Sequence, residues 1–182
     1  VRALLLAAGL GTRLRPLTDS WPKCLMPVGR RPLLEHWLCE LHRNQIRQVL
    51  VNVHHHRALV ESFLERDHFR GWVYGVYEPR LLGTAGTLRK NRQFFGDKTI
   101  LLVHSDNWCQ CDFSDFLEFH SYRRPAGTSI TMMTFRTSSP ETCGIVEVDD
   151  KGVVQNFHEK INEPPGNLAN GAIYLLEPEV SD

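Results

Sequence analysis

Residues 4–38 read LLLAAGLGTRLRPLTDSWPKCLMPVGRRPLLEHWL, and the two ends of that stretch decide the fold class. Arg2 to Ala8 is a continuous apolar run, as a strand buried on both faces should be. At the far end, Pro32 to His42 places Leu33, Leu34, Trp37, Leu38 and Leu41 on one face of a helix. Between them, Gly9 to Arg31 shows no period and is predicted as a structureless connection of more than 20 residues. Connections longer than about 12–15 residues inside a compact pattern are usually functional or disordered. This one holds Gly9, Gly11, Thr12, Arg13, Arg15 and Lys23, a dense set for an anion. Glycines let backbone N–H groups approach a phosphate, Thr12 offers a hydroxyl, and Arg13 and Lys23 supply positive charge. Pro16, Pro22 and Pro27 stiffen the path. The Gly-x-Gly alone is weak evidence, since it fits neither the P-loop pattern nor the three-glycine dinucleotide fingerprint.

Outward from this stretch the period alternates. Gln48 to Val53 and Thr99 to His104 read as buried strands, Gly71 to Val76 as a weaker one. Ala58 to Leu64, Thr84 to Asn91 and Phe113 to Arg123 read as helices, the last with Ser114 as its cap. Ser129 to Phe135, Cys143 to Val148, Val153 to His158 and Ala172 to Leu176 are β-rich, with a turn at Asp149-Asp150-Lys151-Gly152. The first two thirds therefore predict a β-α-β-α pattern with a mostly parallel sheet, and the last third an added β excursion. At 182 residues the expectation is one domain spanning residues 1–182.

Composition narrows the function classes. Lys plus Arg and Asp plus Glu are both 21, so no whole-chain field selects nucleic acid or an anionic membrane, and neither is expected as a partner. No apolar run approaches the roughly 18 residues of a membrane span, and VRALLLAAGLG lacks the basic segment of a secretory leader. Five cysteines suit reduced thiols in a cytoplasmic protein better than a disulfide framework. Cys109-Gln110-Cys111 has no second Cys/His pair at zinc spacing. His54-His55-His56 offers adjacent residues that point in alternate directions, a poor arrangement for one ion.

The motif order is specific. Residues 4–38 closely resemble the signature of the nucleotide-sugar pyrophosphorylases, the sugar-1-phosphate nucleotidyltransferases: a strand, then Gly-x-Gly-Thr-Arg-Leu, then Pro-Lys. Four later segments agree in order: Leu82-Gly83-Thr84-Ala85-Gly86, Ser105-Asp106-Asn107, Cys143-Gly144-Ile145-Val146, and Phe157-His158-Glu159-Lys160 followed by Asn170-Gly171-Ala172-Ile173-Tyr174. The resemblance implies a Rossmann-like three-layer α/β/α nucleotidyltransferase domain. It also implies transfer of a nucleotidyl group from an NTP to a sugar 1-phosphate, both as small-molecule partners.

The same resemblance distributes roles. Ala8, Gly9, Gly11, Thr12 and Arg13 would bind the nucleotide, as would Gly83 and Thr84 at a helix start. Arg13, Lys23 and Asp106 would form the catalytic set, with Asp106 holding Mg²⁺. Gly144, Glu159, Lys160 and Asn170 would line the sugar-phosphate site. Glu78 stands where relatives that use guanine often carry an acid. A carboxylate can accept from guanine N1–H and N2–H₂ together, which favours GTP with mannose 1-phosphate or a manno-heptose 1-phosphate. UTP or dTTP with another sugar is the alternative, and a binding module without turnover is the alternative of another class. A dinucleotide-dependent oxidoreductase is disfavoured, because the second strand ends Val53-His54-His55 with no acidic ribose ligand. The family's second metal-binding aspartate, in a Trp-x-Asp-x-Gly segment, has no counterpart here, and the terminal Asp182 does not match it. The expectation is a chain truncated at its C-terminal end, with its oligomeric state open.

Overall fold

The structure is a computed structural model that describes residues 1–109 and 111–181. The chain forms two compact units, Val1–Cys111 with Glu177–Asp182, and Asp112–Leu176. Gln110, within the cysteine pair, and Asp182 lie outside the described residues.

The first unit is built on four parallel strands, β1 (Arg2–Leu6), β4 (Val49–Val53), β5 (Val73–Tyr77) and β6 (Ile100–His104), in the order β5-β4-β1-β6. A two-residue hairpin, β2 (Pro27–Val28) with β3 (Arg31–Pro32), precedes the first helix. Helices α1 (Leu33–Arg43), α2 (Arg57–Leu64), α3 (Gly83–Lys90) and α4 (Arg92–Phe95) make the connections. On α1 the apolar stripe is the buried one: Leu33, Leu34, Trp37, Leu38 and Leu41. β4 is buried at every position, as the unbroken apolar run of a central parallel strand requires. Strand order reverses beside β1: the chain winds outward to β4 and β5, then returns to place β6 on the other flank. Ligands of open α/β sheets bind outside the carboxyl ends of strands at such a reversal.

The connection after β1 is not structureless. It contains three 3-10 turns, Thr12–Leu14, Leu17–Asp19 and Lys23–Leu25, and ends in the β2–β3 hairpin. Gly11 enters it with φ 65, and an added Cβ there would stand 2.8 Å from Thr18 Cγ2. The buried Thr18 hydroxyl donates to the Gly11 carbonyl at 2.8 Å. His55 and His56 place ring nitrogens 3.3 and 3.0 Å from the Thr18 carbonyl. Two of the three consecutive histidines thus brace the loop, a role the sequence did not suggest.

The second unit begins with α5 (Phe113–Glu118), followed by a π-helical turn, Phe119–Arg123. Its cap is Asp112, whose carboxylate accepts from Ser114 N and Asp115 N, and not Ser114 as expected. Four antiparallel strands follow: β7 (Ile130–Arg136), β8 (Gly144–Val148), β9 (Val154–Glu159) and β10 (Leu168–Leu176), in the order β7-β10-β8-β9. β10 starts earlier than its apolar run because Leu168, Ala169 and Asn170 pair with Arg136, Phe135 and Thr134 before a register shift between Asn170 and Tyr174. The predicted turn after β8 forms, with Asp149 Oδ1 accepting from Lys151 N and Val153 N. Among the described residues no helix is long and apolar enough to cross a membrane.

Candidate active site

A cavity of about 210 Å³ opens at the carboxyl ends of the four parallel strands. Leu6, Ala7, Ala8 and Gly9 line it from β1, Asn52 from β4, Glu78 from just past β5, and His104, Ser105 and Asp106 from the end of β6. Gly83, Thr84 and Thr87 of α3 line it together with Leu81, and Lys23 and Cys24 reach in from the loop.

Lys23 and Asp106, 83 positions apart in sequence, meet here, with Nζ 2.5 Å from Oδ2. Their side chains are 23% and 40% exposed, so each stays open to an incoming ligand. Local structure explains the aim of Lys23. Pro22, Cys24 and Leu25 are buried, which turns the lysine of this 3-10 turn away from the core. Burial pushes the Cys24 thiol up to about 12, so it stands behind Lys23 as a neutral, unreactive group. Asp106 follows β6 in a turn that α1 holds: Trp37 Nε1–H donates to the Asn107 carbonyl at 2.9 Å. Ser105 is buried, and both its amide and its hydroxyl donate to the Leu6 carbonyl, at 3.1 and 2.8 Å. Burial lowers the pKa of His104, and the Asp106 charge works in the opposite direction.

The expected nucleotide residues divide into two groups. Ala8, Gly9, Glu78, Gly83 and Thr84 line the cavity, whereas Gly11, Thr12 and Arg13 lie outside its lining. A Cβ on Gly9 would meet nothing within 4 Å, so the space beside it is open to a ligand. Gly83 starts α3 at φ 71, a left-handed conformation that suits glycine. Glu78 is fully buried, and its oxygens face inward, Oε1 to the Thr87 hydroxyl at 2.5 Å and Oε2 to Leu82 N at 3.5 Å. Asn52, Thr87 and His104 escaped the sequence reading. Asn52 left one signal, a single amide in the otherwise apolar strand VLVNV of β4.

In the second unit Gly144 of β8 sits in register opposite Glu159 of β9. A Cβ on Gly144 would stand 2.9 Å from Glu159 Oε2 and 2.5 Å from Phe157 Cζ, so only glycine fits without a shift. Lys160 follows with φ 49 and pairs with Glu159 at 2.8 Å, both side chains more than half exposed. Asn170 lies on the neighbouring β10, its Oδ1 accepting from Ala172 N at 2.8 Å and its Nδ2 donating to the Tyr174 hydroxyl at 2.6 Å. Among the described residues no group of three or more His, Cys, Asp or Glu is placed to hold a metal ion.

Comparison with known proteins agrees with this geometry. The family described as Nucleotidyl transferase matches residues 2–182. The UTP–glucose-1-phosphate uridylyltransferase of Synechocystis sp. is 32% identical over 197 residues, covering 100% of this chain and 50% of that protein. The mannose-1-phosphate guanylyltransferase catalytic subunit beta of Drosophila pseudoobscura pseudoobscura is 34% identical over 183 residues, covering 98% and 48%. The chain thus spans about half the length of these relatives. Among solved structures, HddC from Yersinia pseudotuberculosis, complexed with GMP-PN, superposes with a TM-score of 0.81 at 19% identity, over 100% of this chain and 79% of that one. UDP-glucose pyrophosphorylase from Acinetobacter baumanii gives 0.80 at 20% identity, over 99% and 75%. These two likenesses establish the α/β fold. Sequence match, motif order and fold coincide over nearly the whole chain, which belongs to the nucleotidyl transferase family.

Proposed function

We propose that this chain carries out nucleotidyl transfer from an NTP to a sugar 1-phosphate. An oxygen of the sugar phosphate attacks the α-phosphorus, the bond to the bridging oxygen between the α- and β-phosphorus breaks, and pyrophosphate leaves. A phosphate monoester is mostly ionised at pH 7 because its second pKa is about 6, so the nucleophile needs no strong base. The barrier lies in bringing anions together and stabilising charge at the α-phosphorus. The observation that carries the reading is the meeting of Lys23 and Asp106 at 2.5 Å beside the Ala8–Gly9 backbone. In this scheme Lys23 exchanges Asp106 for the α-phosphate, and Arg13 and the loop amides hold the rest of the triphosphate. Lys160 seats the acceptor phosphate and Glu159 and Asn170 take sugar hydroxyls.

Asp106 suits Mg²⁺, which usually binds one or two carboxylates together with phosphate oxygens and water. Bound there, the ion would neutralise phosphate charge. For the base we favour GTP, with mannose 1-phosphate or a manno-heptose 1-phosphate as acceptor, supported by the guanylyltransferases among the relatives. UTP is the second reading, supported by the uridylyltransferase at similar identity. A panel of GTP, UTP and dTTP against several sugar 1-phosphates, scored by pyrophosphate release, tests the proposal. Release with GTP and a manno-configured acceptor is expected. Release with UTP or dTTP but not GTP would overturn the base assignment, and NTP binding without any release would make the chain a binding module.

A further inference from the structure

Behind the cavity wall lies a buried polar chain that the reaction as described does not use. Asn52 is 4% exposed, and Thr87 and Glu78 are 0% exposed. Asn52 Oδ1 accepts from the amides of Ala7 and Ala8 at 2.7 and 3.2 Å. Asn52 Nδ2 donates to Thr87 Oγ1 at 3.4 Å, and the Thr87 hydroxyl donates to Glu78 Oε1 at 2.5 Å. The direction of the bonds at Asn52 is forced. Backbone N–H groups can only donate, so the oxygen of the Asn52 amide must face the loop and its NH₂ must face Thr87. Thr87 Oγ1 then accepts from Asn52 and has one hydrogen left, which goes to Glu78. The chain begins beside α3, where Glu78 Oε2 stands 3.5 Å from Leu82 N. It ends at the first two residues past β1, where the phosphate-binding loop starts.

We propose that Asn52, Thr87 and Glu78 form a positioning relay that fixes the Ala7 and Ala8 amides at the start of the phosphate loop. Glu78 then contributes to nucleotide binding through the loop and not by contact with the base, an inference that rests on the nucleotidyl-transfer reading for its kinetic consequences. Three further observations carry it. Glu78 has no solvent-exposed surface, although it forms part of the wall. Its backbone is fixed from both sides, by the Glu78 N–H to the Val53 carbonyl at 2.8 Å and by His54 Nδ1 at 2.7 Å from the Glu78 carbonyl. Asn52 interrupts a strand otherwise made of Val and Leu, a position where a polar group is costly unless it is bonded.

The test uses near-isosteric variants of the full chain and two readouts. Thr87→Val removes the central hydroxyl, Thr87→Ser keeps it, and Glu78→Gln retains an oxygen for Thr87. Asn52→Asp keeps the loop contact but places two carboxylates on the single Thr87 hydrogen. The first readout is the NMR shift of the Ala7 and Ala8 amides in the nucleotide-free protein. The second is KM and kcat with GTP, UTP and dTTP in turn. Thr87→Val and Asn52→Asp are expected to move both amides and to raise KM for every NTP that is used by the same factor, roughly tenfold, with kcat changed less. Thr87→Ser should stay within about twofold of the parent and Glu78→Gln should leave the ratio between NTPs unchanged. A tenfold change in that ratio in Glu78→Gln would make Glu78 a base-reading residue and overturn the relay. So would unmoved amides in Thr87→Val, or in Asn52→Asp should Thr87→Val not fold. Amides that move in a protein that turns over no NTP would leave the relay standing and remove the proposed reaction.

Discussion

At the residue scale, Lys23 decides the most. Its ion pair with Asp106 is partly solvated, and exposed pairs contribute about 0–1 kcal/mol, so the lysine adds little to stability. Its worth would lie in the charge it can give to an α-phosphate. Lys23→Ala is therefore expected to lower turnover by about 10²–10³-fold while the unfolding midpoint stays nearly unchanged. A near-normal rate of pyrophosphate release would remove Lys23 from the reaction. Its neighbour Cys24 gives a separate test through pH. Burial raises its pKa from 9.0 to about 12, so at pH 9 the thiolate falls from about half to roughly one in a thousand. The folded state holds this proton more tightly than the unfolded state. The stability it contributes is complete below pH 9 and is lost as pH rises towards 12. Alkylation at pH 9 should label the exposed Cys111 and the less buried Cys39, Cys109 and Cys143 first and reach Cys24 only on unfolding. Fast labelling of Cys24 in the native protein would contradict its burial. Lys23 and Asp106 were legible in the sequence because each sits in a short motif. Asn52 and Thr87 were not, since their roles exist only once β1, β4 and α3 are packed side by side.

At the element scale, legibility followed period. α1 and the strands of the first unit matched their apolar patterns to within a few residues because burial on one or both faces writes that pattern. The loop from Gly9 to Arg31 carries no period in its sequence because 3-10 turns of three residues are too short to leave one. Its order comes from partners far away in sequence, the Thr18 carbonyl against His55 and His56 above all. β10 is longer than its apolar run because Asn170 and Gly171 also belong to the strand, at the start of the register shift between Asn170 and Tyr174. A Cβ on Gly171 would come within 3.0 Å of the Met133 carbonyl oxygen. The same long-range logic joins α1 to the Asp106 turn through the Trp37 indole. Trp37 is 4% exposed, so Trp37→Phe would keep an aromatic ring in the core but leave the Asn107 carbonyl without this donor. The expected cost is about 1 kcal/mol in stability, read from chemical denaturation. The larger effect should fall on kcat, because the turn that carries Asp106 loses its anchor. A variant with unchanged kcat would show that this turn is held by other contacts.

At the scale of the whole molecule, electrostatics set the conditions for binding. The chain carries 21 basic and 21 acidic residues, so there is no net field to draw in a polyanionic nucleotide. The lining of the cavity is no more favourable: among its residues Lys23 is opposed by Asp106 and Glu78. Arg13, outside that lining, is the other loop cation assigned to the triphosphate. An NTP alone would therefore meet a wall with as much negative as positive charge or more, while an NTP with Mg²⁺ brings its own compensation and gives Asp106 a partner in place of Lys23. Affinity for GTP is thus expected to be at least about tenfold higher with millimolar Mg²⁺ than in EDTA, a coupling of roughly 1.4 kcal/mol. Asp106→Asn should remove most of that difference, because it takes away the charge that the ion would meet. Calorimetric titration of both proteins under both conditions measures the coupling directly. Equal affinity with and without Mg²⁺ in the parent would mean that Lys23, Arg13 and the loop amides carry the triphosphate by themselves, and would detach Asp106 from the role of metal ligand.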